Sequence, residues 1–256
     1  MHKTLFNISG DIEEAGNALS LTYSPEQLYA LRVGIRRTRS ILKHIGSHKS
    51  RSYRKTWGGF AAVTNDARDW DVFLITAEKL LTPGDYCSFE TLNRKQVQSS
   101  REAAVEMLTA APWRRHLKEW KHHLGQTGEE SSGQDQVLTS LERALVKARR
   151  ALQLALTVDN DKRWHKFRIA VKEVRYVADS GKDHPAKGEY LVEVSATCRS
   201  VQTLLGDWHD TVVQLDILSE LADTAVHDRL GSLVRQRKEQ FLSEIRSELL
   251  EQPLFR

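Results

Sequence analysis

Residues Tyr29–Lys43, YALRVGIRRTRSILK, constrain the fold more than any other stretch of the chain. At about 100° per residue, Arg32, Arg36, Arg39 and Lys43 fall on one strip of a helix, and Tyr29 extends that strip by a turn. Leu31, Ile35, Thr38 and Leu42 fall on a second strip about 100° away, which apart from the threonine is a core-facing stripe. Ordinary surface helices interleave acids with bases, because opposite charges one turn apart stabilise them and like charges do not. From Gln27 to Asn65 there is no Asp or Glu. The repulsion along the cationic edge has no local relief, and this points to an anion as its partner.

The pattern occurs a second time. His165–Tyr176, HKFRIAVKEVRY, places Arg168, Lys172 and Arg175 where the first copy has Arg32, Arg36 and Arg39. His165 stands in the place of Tyr29. Phe167, Val171, Val174 and Ala178 repeat the apolar strip. A second pair of segments follows the two strips in the same order. Asn65–Val72 contains Asp66, Asp69 and Asp71, and Leu205–Asp210 contains Asp207 and Asp210. Aligning Asp66 with Asp207 also aligns Asp69 with Asp210. Both segments read as helix starts, where the dipole favours a carboxylate. An internal repeat of this kind governs the whole fold reading.

Helical periodicity runs through nearly every segment, and no strand-like alternation persists. Ser24-Pro25-Glu26-Gln27 reads as a helix start with Ser24 at the cap and Pro25 at the first position, and Asp159-Asn160-Asp161 reads as the N-cap of the second cationic helix. Helices are predicted over residues 8–20, 25–46, 50–64, 65–81, 88–110, 113–124, 136–157, 161–180, 189–205, 208–221 and 224–250. In this reading Thr82–Asp85 ends one helix, Pro112 stops another, and Gly206 separates two more. Gly125–Asp135, GQTGEESSGQD, reads as the linker between two halves, 1–130 and 131–256. The expected fold is all-α, with about five helices in each half and the halves related by a pseudo-twofold as two bundles.

Composition narrows the class of function. The net charge is only +4 in 256 residues, but the charges are strongly segregated. Cys87 and Cys198 fit neither a disulfide framework nor a CxxC site, and they read as reduced thiols in a cytoplasmic protein. The first residues lack a long apolar run of the signal-peptide kind, and no stretch is apolar enough to span a bilayer. His122-His123 and His209-Asp210 lack convergent ligands at a recognised spacing, so no metal or other cofactor is expected.

Taken together, H-x-x-R-x-x-x-K-x-x-R-Y at His165–Tyr176, its echo at Tyr29–Arg39, the RDxD sequence Arg68–Asp71 and the LGDxxD sequence Leu205–Asp210 resemble the CHAD domain, the conserved-histidine α-helical domain. The resemblance covers most of the chain. It implies two helical bundles around a basic central groove, binding of inorganic polyphosphate and association with polyphosphate granules. Some family members are fused to a CYTH triphosphatase domain. This chain has no E-x-E-x-K motif and resembles a stand-alone module. Tyr29 departs from the family pattern, which usually has His there. A phenol donates a hydrogen bond but adds no positive charge near neutral pH.

Polyphosphate requires a row of fixed cations, and Arg suits it because its planar guanidinium stays charged and donates two hydrogen bonds to one phosphate. The candidate lining is Arg32, Arg36, Arg39, Lys43, His165, Arg168, Lys172 and Arg175. Tyr29, Arg51, Arg54, Lys55 and Arg199 are peripheral candidates. Trp70, Trp164 and Trp208, which flank the charged motifs, and Tyr176 read as packing residues. A nucleic-acid-binding helical protein is the second reading, without a helix-turn-helix, RRM or KH signature to carry it. An accessory module of phosphate metabolism that recruits a partner enzyme is the third. An enzyme acting on phosphoanhydrides would have to draw on Asp69, Asp71, Asp207 and Asp210; no catalytic residue is assigned.

Overall fold

The computed structural model of the chain describes residues 2–45, 47–126, 134–182 and 184–255. Among them the only regular structure is helical. The helices are α1 (His2–Leu21), α2 (Pro25–Ile45), α3 (His48–Val63), α4 (Asn65–Leu80), α5 (Pro83–Thr109), α6 (Ala111–Gln126), α7 (Gln134–Val158), α8 (Asp161–Ser180), α9 (Gly188–Glu220) and α10 (Ala225–Glu251). A 3-10 turn, Pro253–Phe255, follows α10. The chain divides into two compact units, Met1–Ser131 and Ser132–Arg256. The predicted linker falls largely on residues 127–133, outside the described residues.

In the first unit α2 packs on α1 and on α3, α4 packs on α5, and α6 lies against α1 and α5. The core gathers Leu31, Ile35 and Leu42 of α2 with Ile12 and Leu19 of α1, Trp57 of α3, and Trp113 and Trp120 of α6. Trp57 meets Trp113, His116 and Trp120 edge-on, at centroid distances of 4.5 to 6.1 Å. Rings of this size supply the largest apolar areas in a core and so set its geometry. In the second unit α7, α8, α9 and α10 pack in chain order, and the 3-10 turn returns to α7. Phe167, Val171, Val174 and Ala178 of α8 all lie in that core, with Trp164, Leu205 and Trp208.

Several helix boundaries differ from the sequence reading, each for a local reason. α1 begins near the N-terminus because Leu5 and Ile8 continue the stripe of Ile12, Ala15 and Leu19 into the core. α4 ends before Thr82 as expected, but Thr82 also starts the next helix, ahead of the predicted start at Ser88. The Thr82 hydroxyl accepts from the Asp85 amide and donates to the Asp85 carboxylate, and Pro83 occupies the first helical position. Pro112 lies in the first turn of α6, where a missing N–H is tolerated, so it begins a helix and does not merely stop one.

The break expected at Gly206 is absent. α9 is one helix of 33 residues, and Leu205 and Trp208 on either side of the glycine are both fully buried. Burial on both flanks holds the helix through a residue whose intrinsic penalty is about 1 kcal/mol. Asp207 and Asp210 therefore lie inside a helix, away from any helix start, and the dipole argument does not apply to them. In the first unit α3, Thr64 and α4 cover the same length, but Thr64 leaves helical geometry at φ −92° and ψ 4°. The described residues thus place six helices in the first unit and four in the second, instead of about five in each.

One close approach fixes α1 against α2. A Cβ on Gly34 would lie 2.5 Å from Cγ1 of Ile12, a fully buried side chain that has no room to move. Gly10 in α1 has open space around the same position. Gly34→Ala is expected to lower stability by roughly 1–3 kcal/mol through overpacking. Gly10→Ala is expected to raise it by about 0.5–1 kcal/mol through helix propensity. Urea unfolding of the two variants checks both signs.

Candidate functional site

The two-strip reading of α2 holds at every apolar position. Leu31, Ile35 and Thr38 are fully buried and Leu42 nearly so. Burial of that strip leaves Arg36, Arg39 and Lys43 exposed, one turn apart on a rigid helix. Tyr29 is 56% exposed, so its phenol is on the solvent side.

Arg32 behaves differently from its neighbours on the strip. Its Nη1 donates to the Ala61 carbonyl at 3.0 Å and to the Thr64 hydroxyl at 2.6 Å, and its Nη2 donates to Oδ1 of Asn65 at 3.0 Å. The interruption at Thr64 leaves helix-terminal carbonyls without intrahelical partners, and Arg32 takes one of them. Burial pulls the Arg32 pKa down, and the nearby Asp69 carboxylate opposes that shift. Arg32 therefore braces the α3–α4 junction from α2. Asp71, the other acid of the RDxD sequence, is 4% exposed and fully engaged. It accepts from the Tyr23 hydroxyl at 2.5 Å and from Arg101 at 2.8 Å, and the Arg101 guanidinium lies 4.9 Å from the Tyr23 ring. The Tyr23 pKa is raised, first by burial and then by Asp71. No spacing rule in the sequence points to this triad.

Arg39 lies over Gly58 of α3. A Cβ at that glycine would sit 3.3 Å from Nη2 of Arg39. The contacts of Arg32 with Asn65 and of Arg39 with Gly58 define an antiparallel register, in which seven residues forward on α2 match seven back along α3–α4.

In the second unit Asn160 caps α8 by accepting from the Arg163 amide, as the sequence indicated. Arg168, Lys172 and Arg175 are half-buried on α8 beside α9. The His165 and His209 rings lie 4.7 Å apart, and Ser195 donates to Asp179 at 2.5 Å. These pairs set an antiparallel register in which fourteen residues forward on α8 match fourteen back on α9. The Arg175 guanidinium rests 4.9 Å from the Tyr176 ring, a cation–π contact that fixes it. Arg199 is exposed on α9, opposite Arg175 in this register. Trp164 and Trp208 are fully buried and Trp70 nearly so, as packing residues should be.

His209, weighed in the sequence only as a metal ligand, lies beside the α8 strip. Burial, then Arg168, His165 and Lys172, pull its pKa down to about 3. His165 is lowered by burial, then by Arg168 and Lys172. Both rings are neutral near pH 7 and sit against fixed cations. In the first unit His116, walled by Trp57, Phe60 and Tyr53, is pushed by burial down to about 4. Only the packing of α9 on α8 and of α6 on α3 brings these rings into such surroundings, so a linear sequence carries no signal for them.

The helical fold, the repeated basic helix and its buried neighbouring face define an all-helical protein with two basic strips. A family model for the CHAD domain matches residues 14–219, most of the chain. The chain belongs to the CHAD domain family. It is similar to the crystal structure of the CHAD domain from the plant Ricinus communis, with a TM-score of 0.69 and 21% identity over 98% of this chain and 90% of that one. That likeness concerns the fold. A search of curated proteins gives no match. No helix among the described residues is long and apolar enough to cross a membrane.

The buried imidazoles have a consequence for stability. Unfolded, His116 and His209 titrate near pH 6.5; folded, their values lie lower, so protonation favours unfolding. Their contribution is complete above about pH 6.5 and is lost as pH falls toward 4 and then 3. The urea midpoint should therefore drop between pH 7 and pH 4.5. It should drop less in a His116→Leu, His209→Gln variant, whereas an equal drop in the variant would contradict the assignment.

Proposed function

We propose that the chain binds inorganic polyphosphate through the basic faces of α2 and α8, without catalysing a reaction on it. The observation that carries this reading is on α2. A fully buried apolar strip pins Arg36, Arg39 and Lys43 at one-turn spacing, in a segment without acids to neutralise them. Polyphosphate is a flexible chain with about one charge per phosphate, and a row of arginines on a rigid helix meets it with charge-assisted hydrogen bonds. The family's association with polyphosphate-related proteins is the second support. Through such binding the protein would gather at polyphosphate granules.

The departure at Tyr29 fits this reading. His165, its counterpart in the second copy, has a lowered pKa and adds no charge near pH 7. At that pH a phenol and a neutral imidazole offer the same thing to a phosphate oxygen, a hydrogen bond. Two of the acids open to an enzymatic reading are held in the fold. Asp71 is held by Tyr23 and Arg101, and Asp207 has its pKa raised by burial within α9.

The test is a titration with long-chain polyphosphate, competed by duplex DNA and by pyrophosphate, for the wild type and for Arg36→Glu combined with Arg168→Glu. The reading expects tight binding, weak competition by DNA, and loss of binding in the double variant with helicity retained. Equal competition by DNA per charge would favour a nucleic-acid function. Unchanged binding by the double variant would make the two strips ordinary solvated helix faces.

A further inference from the structure

The two basic strips end differently. In the first unit, the register set by Arg32–Asn65 and Arg39–Gly58 brings Lys43 of α2 opposite Arg54 of α3. The sequence repeat aligns Lys43 with Asp179. The second unit's register places Asp179 opposite Ser195, which donates to it at 2.5 Å, and Lys182 pairs with the same carboxylate at 2.7 Å. One strip therefore terminates on an acid with its counter-charge and hydrogen-bond donor in place. The other runs on into a second helix that adds more cations.

Arg51, Arg54 and Gly58 share one face of α3, three and then four residues apart, and Lys55 is one turn from Arg51. Arg51 and Lys55 are exposed and Arg54 is half-buried. Ser47 caps α3 by accepting from the Ser50 amide, so the helix that carries these cations is fixed from its first turn. Gly58 lets the two helices close up, because the Arg39 guanidinium occupies the place of a side chain there. From Gln27 to Asn65 there are nine Lys and Arg and no acid. The whole chain is +4, so removing those nine charges leaves the rest at −5. The positive charge that defines this protein is concentrated on α2 and α3.

We infer that Arg51, Arg54 and Lys55 of α3 join Arg39 and Lys43 in a two-helix polyphosphate subsite confined to the first unit, and that this subsite carries the larger share of the affinity. The inference rests on the polyphosphate reading and adds to it where along the molecule the chain is held most tightly. A helix pair suits a linear polyanion better than one helix, because successive phosphates find donors on both sides and need not follow a single row.

The experiment compares the wild type with three variants: Arg51→Gln, Arg54→Gln, Lys55→Gln; the exposed pair Arg51→Gln, Lys55→Gln; and, as a control of equal charge, Arg114→Gln, Arg115→Gln, Lys118→Gln on the exposed face of α6. Long-chain polyphosphate is titrated at several salt concentrations, with helicity and urea midpoints recorded alongside. Each lost phosphate contact should lower the slope of log affinity against log salt by about 0.7, so the α3 triple variant should lose roughly 2 units of slope. The pair should lose roughly 1.4 on the same basis, and the α6 control close to none. Slopes for the α3 variants equal to that of the control would overturn the subsite while leaving polyphosphate binding itself in place. Failure of the wild type to bind polyphosphate would overturn the functional reading and the subsite together.

Discussion

Burial of one face of α2 is the constraint on which the rest depends. A helix whose Leu31, Ile35, Thr38 and Leu42 are all inside the core cannot rotate to separate its cations. Arg36, Arg39 and Lys43 are therefore held on one line although their charges repel. Solvent and salt screen part of that repulsion. Stability of the core offsets the remainder, and the result is a charged row with little freedom to collapse, as the proposed binding of a polyanion requires. Much of the ordering that binding would otherwise require has already been done in folding.

The same constraint divides the arginines into two kinds. Arg32 lies on the same strip as Arg36, but the interruption at Thr64 places carbonyl and hydroxyl acceptors beside it, and its guanidinium joins three elements. In the second unit the corresponding stretch of α9 is an unbroken helix, with Leu205 and Trp208 buried and the His209 ring against His165 of α8. The backbone conformation of one residue, Thr64, thus supplies Arg32 with its acceptors. Repetition of sequence preserved the pairing of helices in each unit while the chemistry at their edges diverged, with Lys43 in one copy and Asp179 in the other.

Features set by helical period were legible in the sequence. The two faces of α2 and α8, the all-α class and the caps at Ser24 and Asn160 follow from residue spacing and cap chemistry. Features set by tertiary context were not legible. Thr82-Pro83-Gly84-Asp85 was legible as the end of α4, but not as the start of α5, which the hydrogen bonds of Thr82 with Asp85 establish. Gly206 resembles a breaker, yet Leu205 and Trp208 bury the helix on both sides of it. The role of Arg32 depends on where α3 stops. The Tyr23–Asp71–Arg101 cluster joins residues far apart in the chain, and the depressed His209 depends on α8 lying against α9.

In the proposed reading the exposed cations of α2 oppose folding slightly and bind a polyanion, while Arg32 holds the α3–α4 junction. Urea unfolding at low salt, with and without long-chain polyphosphate, separates the two roles in Arg36→Gln and Arg32→Gln. Arg36→Gln is expected to be at least as stable as the wild type without polyphosphate and to gain less stability from it, while Arg32→Gln is expected to be destabilised under both conditions. An Arg36→Gln variant that loses stability alone, and gains as much from polyphosphate as the wild type, would contradict that reading.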